Sequence, residues 1–221
     1  MRDVYHQELD TVGRTLVEMA GQVGSALERA TRALLGADLA LAEAVISADD
    51  AVDALQRDLD VRTLDLIARQ QPVAGDLRTL VTSLRMSADL ERMGDLARHI
   101  AKVARRRYPQ PAIPEELRAT IEEMGRIGVV LAGKVAAVIE GRDAETAREL
   151  EREDDAVDRL HRALFGALLS RENPYTIETA IDVTLIGRYY ERFADHAVSV
   201  AGRLIFLVTG QDARASADSR P

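Results

Sequence analysis

The residues best suited to chemistry are four pairs of carboxylates, each pair spaced by three intervening residues. The pairs are Asp49 with Asp53, Glu91 with Asp95, Asp154 with Asp158, and Glu191 with Asp195. Residues four apart share one face of a helix, where two unpaired acids repel each other by about 0.2–0.5 kcal/mol. Carboxylate oxygens are the ligands that hard cations prefer. If two pairs met on neighbouring helices, their four carboxylates would surround a cation or a small metal cluster.

A plainer interpretation fits any one pair taken alone. The chain has 37 Asp and Glu residues, so most pairs with this spacing lie on solvated helix faces. The four pairs lie at positions that recur in both halves of the chain, which favours a functional requirement shared by the two halves. Metal binding is the function that this pattern indicates. Inherited polarity of the helix surface remains the alternative.

The chain contains two copies of one unit. Shifting the sequence by 105 positions aligns residues 49–55 with residues 154–160, and six of these seven positions are identical. Further along the shift becomes 100, which aligns Glu91, Arg92 and Asp95 with Glu191, Arg192 and Asp195. A repeat of this kind predicts that one supersecondary unit is built twice. The change of shift places a loop five residues shorter in the second copy.

Each half is predicted to form three helices. Apolar residues in the first segment recur every three or four positions, which is typical of a helix in a bundle: Leu9, Val12, Leu16, Met19, Val23 and Ala26. Gly36 is expected to end this helix and Asp38 to cap the next, and Gly141 with Asp143 repeats the arrangement. Strand patterns are essentially absent, so we predict an all-α fold of two tandem three-helix bundles.

Breaks in the pattern set the expected boundaries. Helix two is predicted to run to about Ala68, with Asp76 capping helix three, which runs to about Arg106. The sequence Asn173-Pro174 is expected to make the equivalent break in the second half. The predicted organisation is a first bundle over 1–107, a linker over 108–114, a second bundle over 115–209 and a flexible tail over 210–221.

Composition excludes several classes of protein. The chain is 221 residues long with a formal net charge of −8, which argues against a nucleic-acid partner because phosphate binding depends on Lys and Arg. The basic run at 105–107 is expected to complement the C-terminal end of helix three. There is no cysteine, so disulfides, zinc-thiolate sites and thiol nucleophiles are absent. No signal sequence or apolar stretch of about 20 residues is present, and we expect a cytoplasmic protein.

Several motifs resemble the signature of the PhoU family. They are Leu90-Glu91-Arg92-Met93-Gly94-Asp95, Tyr190-Glu191-Arg192-Phe193-Ala194-Asp195-His196-Ala197 and Gln71-Pro72-Val73-Ala74-Gly75-Asp76-Leu77-Arg78. The resemblance covers about residues 3 to 208 and includes both halves. It implies two three-helix bundles, in agreement with the fold expected from the helical pattern.

The resemblance also implies a function. Members of this family are cytoplasmic regulators of phosphate uptake that link the ATPase of a phosphate ABC transporter to a sensor histidine kinase and repress the phosphate-starvation response. Their acidic motifs can hold multinuclear metal clusters, often of iron or zinc. Matched position by position, the implied ligands are Asp49, Asp53, Glu91, Asp95, Asp154, Asp158, Glu191 and Asp195. Carboxylate oxygens also suit Mg, Mn and Ca, so the metal stays open. A homodimer is a further candidate assembly.

Two other functions compete with this one. A ferritin-like dimetal oxidase needs Glu-x-x-His twice, and the nearest match here is Asp158 with His161, so we expect no enzyme. A metal-free helical scaffold that docks its acidic faces on basic partners is the other alternative. His161 and His196 could add nitrogen ligands to the second half. Because their repeat counterparts are Gln56 and Leu96, a surface or hydrogen-bonding role is favoured for both.

Overall fold

The fold is built from helices alone over the part of the chain that is described. A computed structural model describes residues 2–170 and 175–210, with the side chains of 5–150, 154–170 and 175–210. Within these ranges there is no strand, and the helices are α1 Arg2–Gly36, α2 Leu39–Gln70, α3 Ala74–Arg107, α4 Glu115–Gly141, α5 Ala144–Leu168 and α6 Ile177–Thr209. The predicted all-α fold of six helices in two groups of three is confirmed. The segment Asn173-Pro174 and residues 211–221 lie outside the described ranges.

The first turn in each half has the predicted chemistry. Asp38 Oδ1 accepts a hydrogen bond from the backbone N–H of Leu41 at 2.9 Å and so caps α2. Asp143 caps α5 in the same way, by accepting from the N–H groups of Glu145 and Thr146. These bonds satisfy backbone donors that the first turn of a helix leaves without partners. The two caps therefore fix where the helices that carry Asp49 and Asp154 begin.

The predicted cap of α3 is wrong. This helix begins at Ala74, and Val73 occupies the cap position in an extended conformation with no side-chain hydrogen bond. Asp76 lies inside the first turn, where a carboxylate is still favourable beside the positive end of the helix. In the second half the corresponding role is taken by Thr176, whose hydroxyl accepts from the N–H of Thr179 at 3.1 Å.

Two arginines of the basic run at the end of α3 form ion pairs with acidic residues of α6. Arg105, Arg106 and Arg107 do lie in the last turn, as the sequence predicts. Arg106 forms an ion pair with Asp182, which is only 2% exposed, and Arg107 Nη1 lies 2.6 Å from Glu178 Oε1. The run therefore ties the two halves together, in addition to complementing the end of its own helix.

The two halves pack through a close antiparallel crossing of α1 and α4. Ala132 lies against Gly24, and Gly128 and Gly125 lie against Leu27 and Thr31. The pairs advance along α1 while they retreat along α4, so the helices run in opposite directions. The glycines allow the backbones to come closer than larger side chains would permit. One continuous apolar core therefore extends through both halves.

Helices α3 and α6 form the second antiparallel contact between the halves. Asp89 of α3 faces His196 and Arg203 of α6, whereas Tyr189 of α6 stacks on His99 of α3 with ring centroids 5.3 Å apart. Positions 89 and 189 are repeat counterparts, so exchanging the halves exchanges these contacts. The structure thus has an approximate twofold relation between its halves. No described helix combines the length and apolar character needed to cross a membrane.

We expect Gly125→Ala to destabilise the contact between the halves. An added methyl group would lie 2.7 Å from both Oγ1 and Cγ2 of Thr31. Thr31 cannot easily move, because its hydroxyl bonds Leu27 O at 2.8 Å and lies 2.7 Å from the hydroxyl of Tyr190. Overpacking of this kind costs about 1–3 kcal/mol. Urea unfolding monitored by circular dichroism measures the decrease in the free energy of unfolding.

Gly133→Ala is the matched control on the same helix. Nothing lies within 4 Å of the position that its new methyl group would occupy. Replacing an exposed helical glycine by alanine stabilises by about 0.5–1 kcal/mol. Equal effects of the two substitutions would contradict the close crossing of α1 and α4.

Candidate metal and docking faces

The eight predicted ligands fall into two clusters, one in each half. We call Asp49, Asp53, Glu91 and Asp95 the first cluster, and Asp154, Asp158, Glu191 and Asp195 the second cluster. Helices α2 and α3 carry the first, and α5 and α6 carry the second. Val52 and Val157 are buried one turn after the first aspartate of each cluster. This burial fixes the rotation of α2 and α5, so the acids lie at the edge of the core.

The side chain of Arg98 lies among the acids of the first cluster. Asp49 is 6% exposed, and its Oδ2 lies 2.7 Å from Nη1 of Arg98, a charge contact without aligned hydrogen-bond geometry. Arg98 also donates to Oδ1 of Asp95. The more exposed Arg92 lies 3.1 Å from Asp95 Oδ2 and 3.5 Å from Glu91 Oε2. The guanidinium of Arg98 thus bridges α2 and α3.

Arginine offsets part of the negative charge of the first cluster. Burial raises the pKa of Asp49, as do Asp53 and Asp95, while the positive charge of Arg98 acts in the opposite direction. Burial and the neighbouring Asp95 raise the pKa of Glu91 in the same manner. Arg98 is thus the main compensation for the buried negative charge.

The second cluster lacks a comparable cation. Burial, followed by repulsion from Asp195, Asp158 and Glu191, raises the pKa of Asp154 to about 7. Oδ1 of Asp154 is buried without a hydrogen-bond partner. Among the described residues, the one arginine paired with this cluster is Arg188, which bonds Glu191. The second cluster therefore holds concentrated negative charge, of which the described arginines of its half neutralise only the part on Glu191.

The donor chemistry of the second cluster fits a cation. It consists of carboxylate oxygens, and one of them is buried and unpaired. In the described ranges, however, no group of three or more Asp, Glu or His side chains is arranged to hold a metal ion. Cation binding would require these carboxylates to rotate towards one another. A bound cation would supply the positive charge that the second cluster lacks.

The histidines have separate environments. Nδ1 of His196 lies 3.0 Å from Oδ1 of Asp89, in agreement with the hydrogen-bonding role favoured for it. His161 packs edge-on against Phe165, and its Nε2 is buried without a partner. His99 stacks on Tyr189. None of these contacts joins a histidine to two acids of a cluster.

A polar network between the halves escaped the sequence analysis. Asp89 accepts hydrogen bonds from Ser199 Oγ at 3.0 Å and from Arg203 Nε at 2.6 Å, besides its contact with His196. Burial raises the pKa of Asp89, but these bonds outweigh that effect and bring the pKa below its usual value. The sequence carried no clear signal for this network, since Asp89 lies among other charged residues such as Arg85 and Glu91.

Each half also exposes an apolar stripe on the helix that carries the second acid pair of its cluster, about three helical turns before that pair. Leu77 and Val81 lie on the same face of α3 as Asp95, because they precede it by 18 and 14 residues, close to whole helical turns. Their counterparts Ile177 and Ile181 are 81% and 54% exposed on α6. The sequence analysis missed these stripes, although their recurrence in both halves was a readable signal. We call each cluster with its stripe an open face.

These features define an all-helical, internally duplicated protein with two acidic open faces. The PhoU domain model matches the chain twice, over residues 16–104 and 121–204. The chain belongs to the PhoU family, as the sequence motifs predict. It is 50% identical to the phosphate-specific transport system accessory protein PhoU homolog 2 of Mycobacterium tuberculosis over 210 residues, covering 95% of this chain and 99% of the relative.

Other relatives agree with this assignment. The PhoU homolog 1 of Mycobacterium leprae is 48% identical over 210 residues, covering 95% of each chain. The crystal structure of PhoU from Pseudomonas aeruginosa superimposes with a TM-score of 0.83 at 28% identity, covering 94% of this chain and 100% of that one.

The raised pKa of Asp154 predicts a pH-dependent loss of stability. Because folding raises this pKa from 3.8 to about 7, the native state holds the proton more tightly, and stability falls as the pH rises between these values. Asp154→Asn carries no charge and removes this penalty. We expect the variant to exceed the wild type by about 1–2 kcal/mol at pH 8, since solvent screens part of the repulsion, and by little at pH 4.

Chemical unfolding at the two pH values, in chelator-treated buffer, checks this expectation. Glu149→Gln is the control, because Glu149 is an exposed acid on the same helix that does not contribute to the repulsion at Asp154. A gain in stability for Asp154→Asn that does not change with pH would contradict the assigned repulsion.

Proposed function

We propose that this chain is a cytoplasmic regulatory adaptor of phosphate uptake that represses the phosphate-starvation response. In this role it couples the ATPase of a phosphate ABC transporter to a sensor histidine kinase, and it reaches the membrane only through these partners. One observation carries the proposal: the chain matches accessory proteins of phosphate-specific transport systems over nearly its whole length, in both repeats. The role is non-enzymatic, since the regulatory action comes from docking.

The duplicated architecture supports the coupling. The two open faces lie on different hairpins, α2 with α3 and α5 with α6, so two partners can be bound together. Each face offers exposed apolar residues and, further along the same helix, carboxylates, which complements an extended partner surface of apolar and basic residues. The crossing of α1 and α4 holds the faces at a fixed separation. A partner bound to one face is therefore positioned relative to a partner bound to the other.

We also propose that metal contributes to the acidic faces. Carboxylates whose ionisation is opposed by burial and by one another gain stability when a cation joins them. The cation is iron or zinc in this proposal, and Mg, Mn and Ca are compatible with the same oxygens. The competing candidate is a metal-free docking scaffold, which the arginine bridge in the first cluster favours for that half.

Docking through the apolar stripes predicts specific losses of affinity. Val81→Asp and Ile181→Asp each place a charge on an exposed apolar position that forms no part of the core. We expect one of them to weaken binding of the purified transporter ATPase by about tenfold, which corresponds to about 1.4 kcal/mol, and the other to weaken binding of the kinase. Isothermal titration calorimetry with each partner measures the effect.

Val130→Asp is the matched control, because Val130 is 42% exposed on α4 and lies outside both stripes. Unchanged affinity of both partners for both stripe variants would refute docking through these faces.

The metal proposal predicts a stoichiometric metal in the purified protein. Elemental analysis by inductively coupled plasma mass spectrometry is made on protein prepared without an affinity tag or chelator. We expect a reproducible number of metal atoms per chain, which Glu191→Ala with Asp195→Ala lowers while the circular dichroism spectrum stays helical. If no metal binds even after incubation with Fe, Zn, Mn and Mg, the scaffold candidate replaces the metal proposal.

A further inference from the structure

The two clusters carry their arginines at different positions. Arg188, which pairs with Glu191 in the second cluster, corresponds to Ala88 in the first half. Arg98 follows Asp95 by three residues on α3 and contacts both Asp95 and the 94%-buried Asp49 on α2. The repeat counterpart of Arg98 is Val198, which has no charge. The four acids themselves are matched in type between the halves. The divergence between the clusters is thus concentrated in the cation rather than in the carboxylates.

An arginine in this place acts as a permanent counter-ion. Its guanidinium stays charged at all ordinary pH values and can donate to two carboxylates at once. A metal entering the first cluster would have to displace Arg98 from Asp49 and Asp95, or share them with it at the cost of repulsion between two cations. Either route weakens binding, because a buried partner of an ion pair is costly to leave uncompensated.

The second cluster presents a weaker obstacle, because its paired arginine contacts one acid instead of two. Asp154, Asp158 and Asp195 form no ion pair with any arginine in the described part of the chain, and the buried Oδ1 of Asp154 has no hydrogen-bond partner. Arg188 bonds Glu191 from a position that is 52% exposed at the rim. A divalent cation would therefore meet the unpaired Oδ1 of Asp154. Among the described residues, the arginine that it would have to displace is Arg188, which is half-exposed and pairs with Glu191 alone.

We infer that the two acidic clusters have different occupants: Arg98 is the resident cation of the first cluster, and the second cluster alone takes a divalent metal ion. This inference rests on the proposed metal binding and makes it specific to one half. The first open face is then preformed without metal, whereas the second depends on the metal supply.

Equilibrium dialysis against Mn²⁺ and, separately, Zn²⁺, followed by elemental analysis, tests the inference with the full-length chain. The double variant Asp154→Asn with Glu191→Gln should abolish the tight metal binding of the wild type. The double variant Asp49→Asn with Glu91→Gln should leave that metal binding unchanged. Arg98→Val should create additional bound metal by making the first cluster resemble the second. Val198→Arg should weaken binding in the second cluster at least tenfold.

Arg92→Val is the matched control, because it removes an arginine that is 61% exposed and contacts the same cluster from outside. It should add no bound metal. Urea unfolding of every variant identifies those that do not fold, and Val198→Arg supplies an independent test if Arg98→Val is among them.

The outcomes distinguish a failure of this inference from a failure of the proposed metal binding on which it rests. If the wild type and Arg98→Val both bind neither ion, metal binding itself is wrong. If both double variants of the wild type lose metal equally, or if Arg92→Val adds as much metal as Arg98→Val, metal binding stands and the assignment of Arg98 is overturned.

Discussion

The close antiparallel packing of α1 against α4 is the constraint on which the rest of the structure depends. At Gly125 and Gly128 the neighbouring side chains Thr31 and Leu27 fill the space that a methyl group would need. Two three-helix units that were joined only by the segment 108–114 could adopt many orientations. Buried contact along the crossing, with α3 packed on α6 beside it, selects one. The open faces are therefore held by a shared core, and their separation is a property of the fold.

The helices and the positions of the acid pairs could be predicted from the sequence, because their signals were local and were repeated in both halves. The seam of residues such as Leu16 and Met19 predicts a helix directly, and Asp38 and Asp143 cap their helices as expected. The acid pairs could be found because a spacing of four always brings residues to one helix face. Asp76 was assigned wrongly because its helix begins two residues earlier, at Ala74, where no side-chain cap is used.

What the sequence could not supply were contacts between helices that are distant along the chain. The role of Arg98 depends on its reach from α3 to Asp49 on α2, and its spacing from Asp95 would equally suit an ordinary surface pair. The network around Asp89 lies between the halves, whereas alignment of the repeats compares positions within them. The sequence thus identified the carboxylates, but not the charges that surround them, and those charges distinguish one cluster from the other.

The contact between α3 and α6 also determines which halves can associate. Asp89 meets the donors Ser199 and Arg203, but the equivalent positions of the first half are His99 and Val103. If two first halves came together by the same twofold relation, each Asp89 would be buried against a valine where it now has an arginine. The side chains at this contact therefore make each half complementary to the other half and not to a second copy of itself.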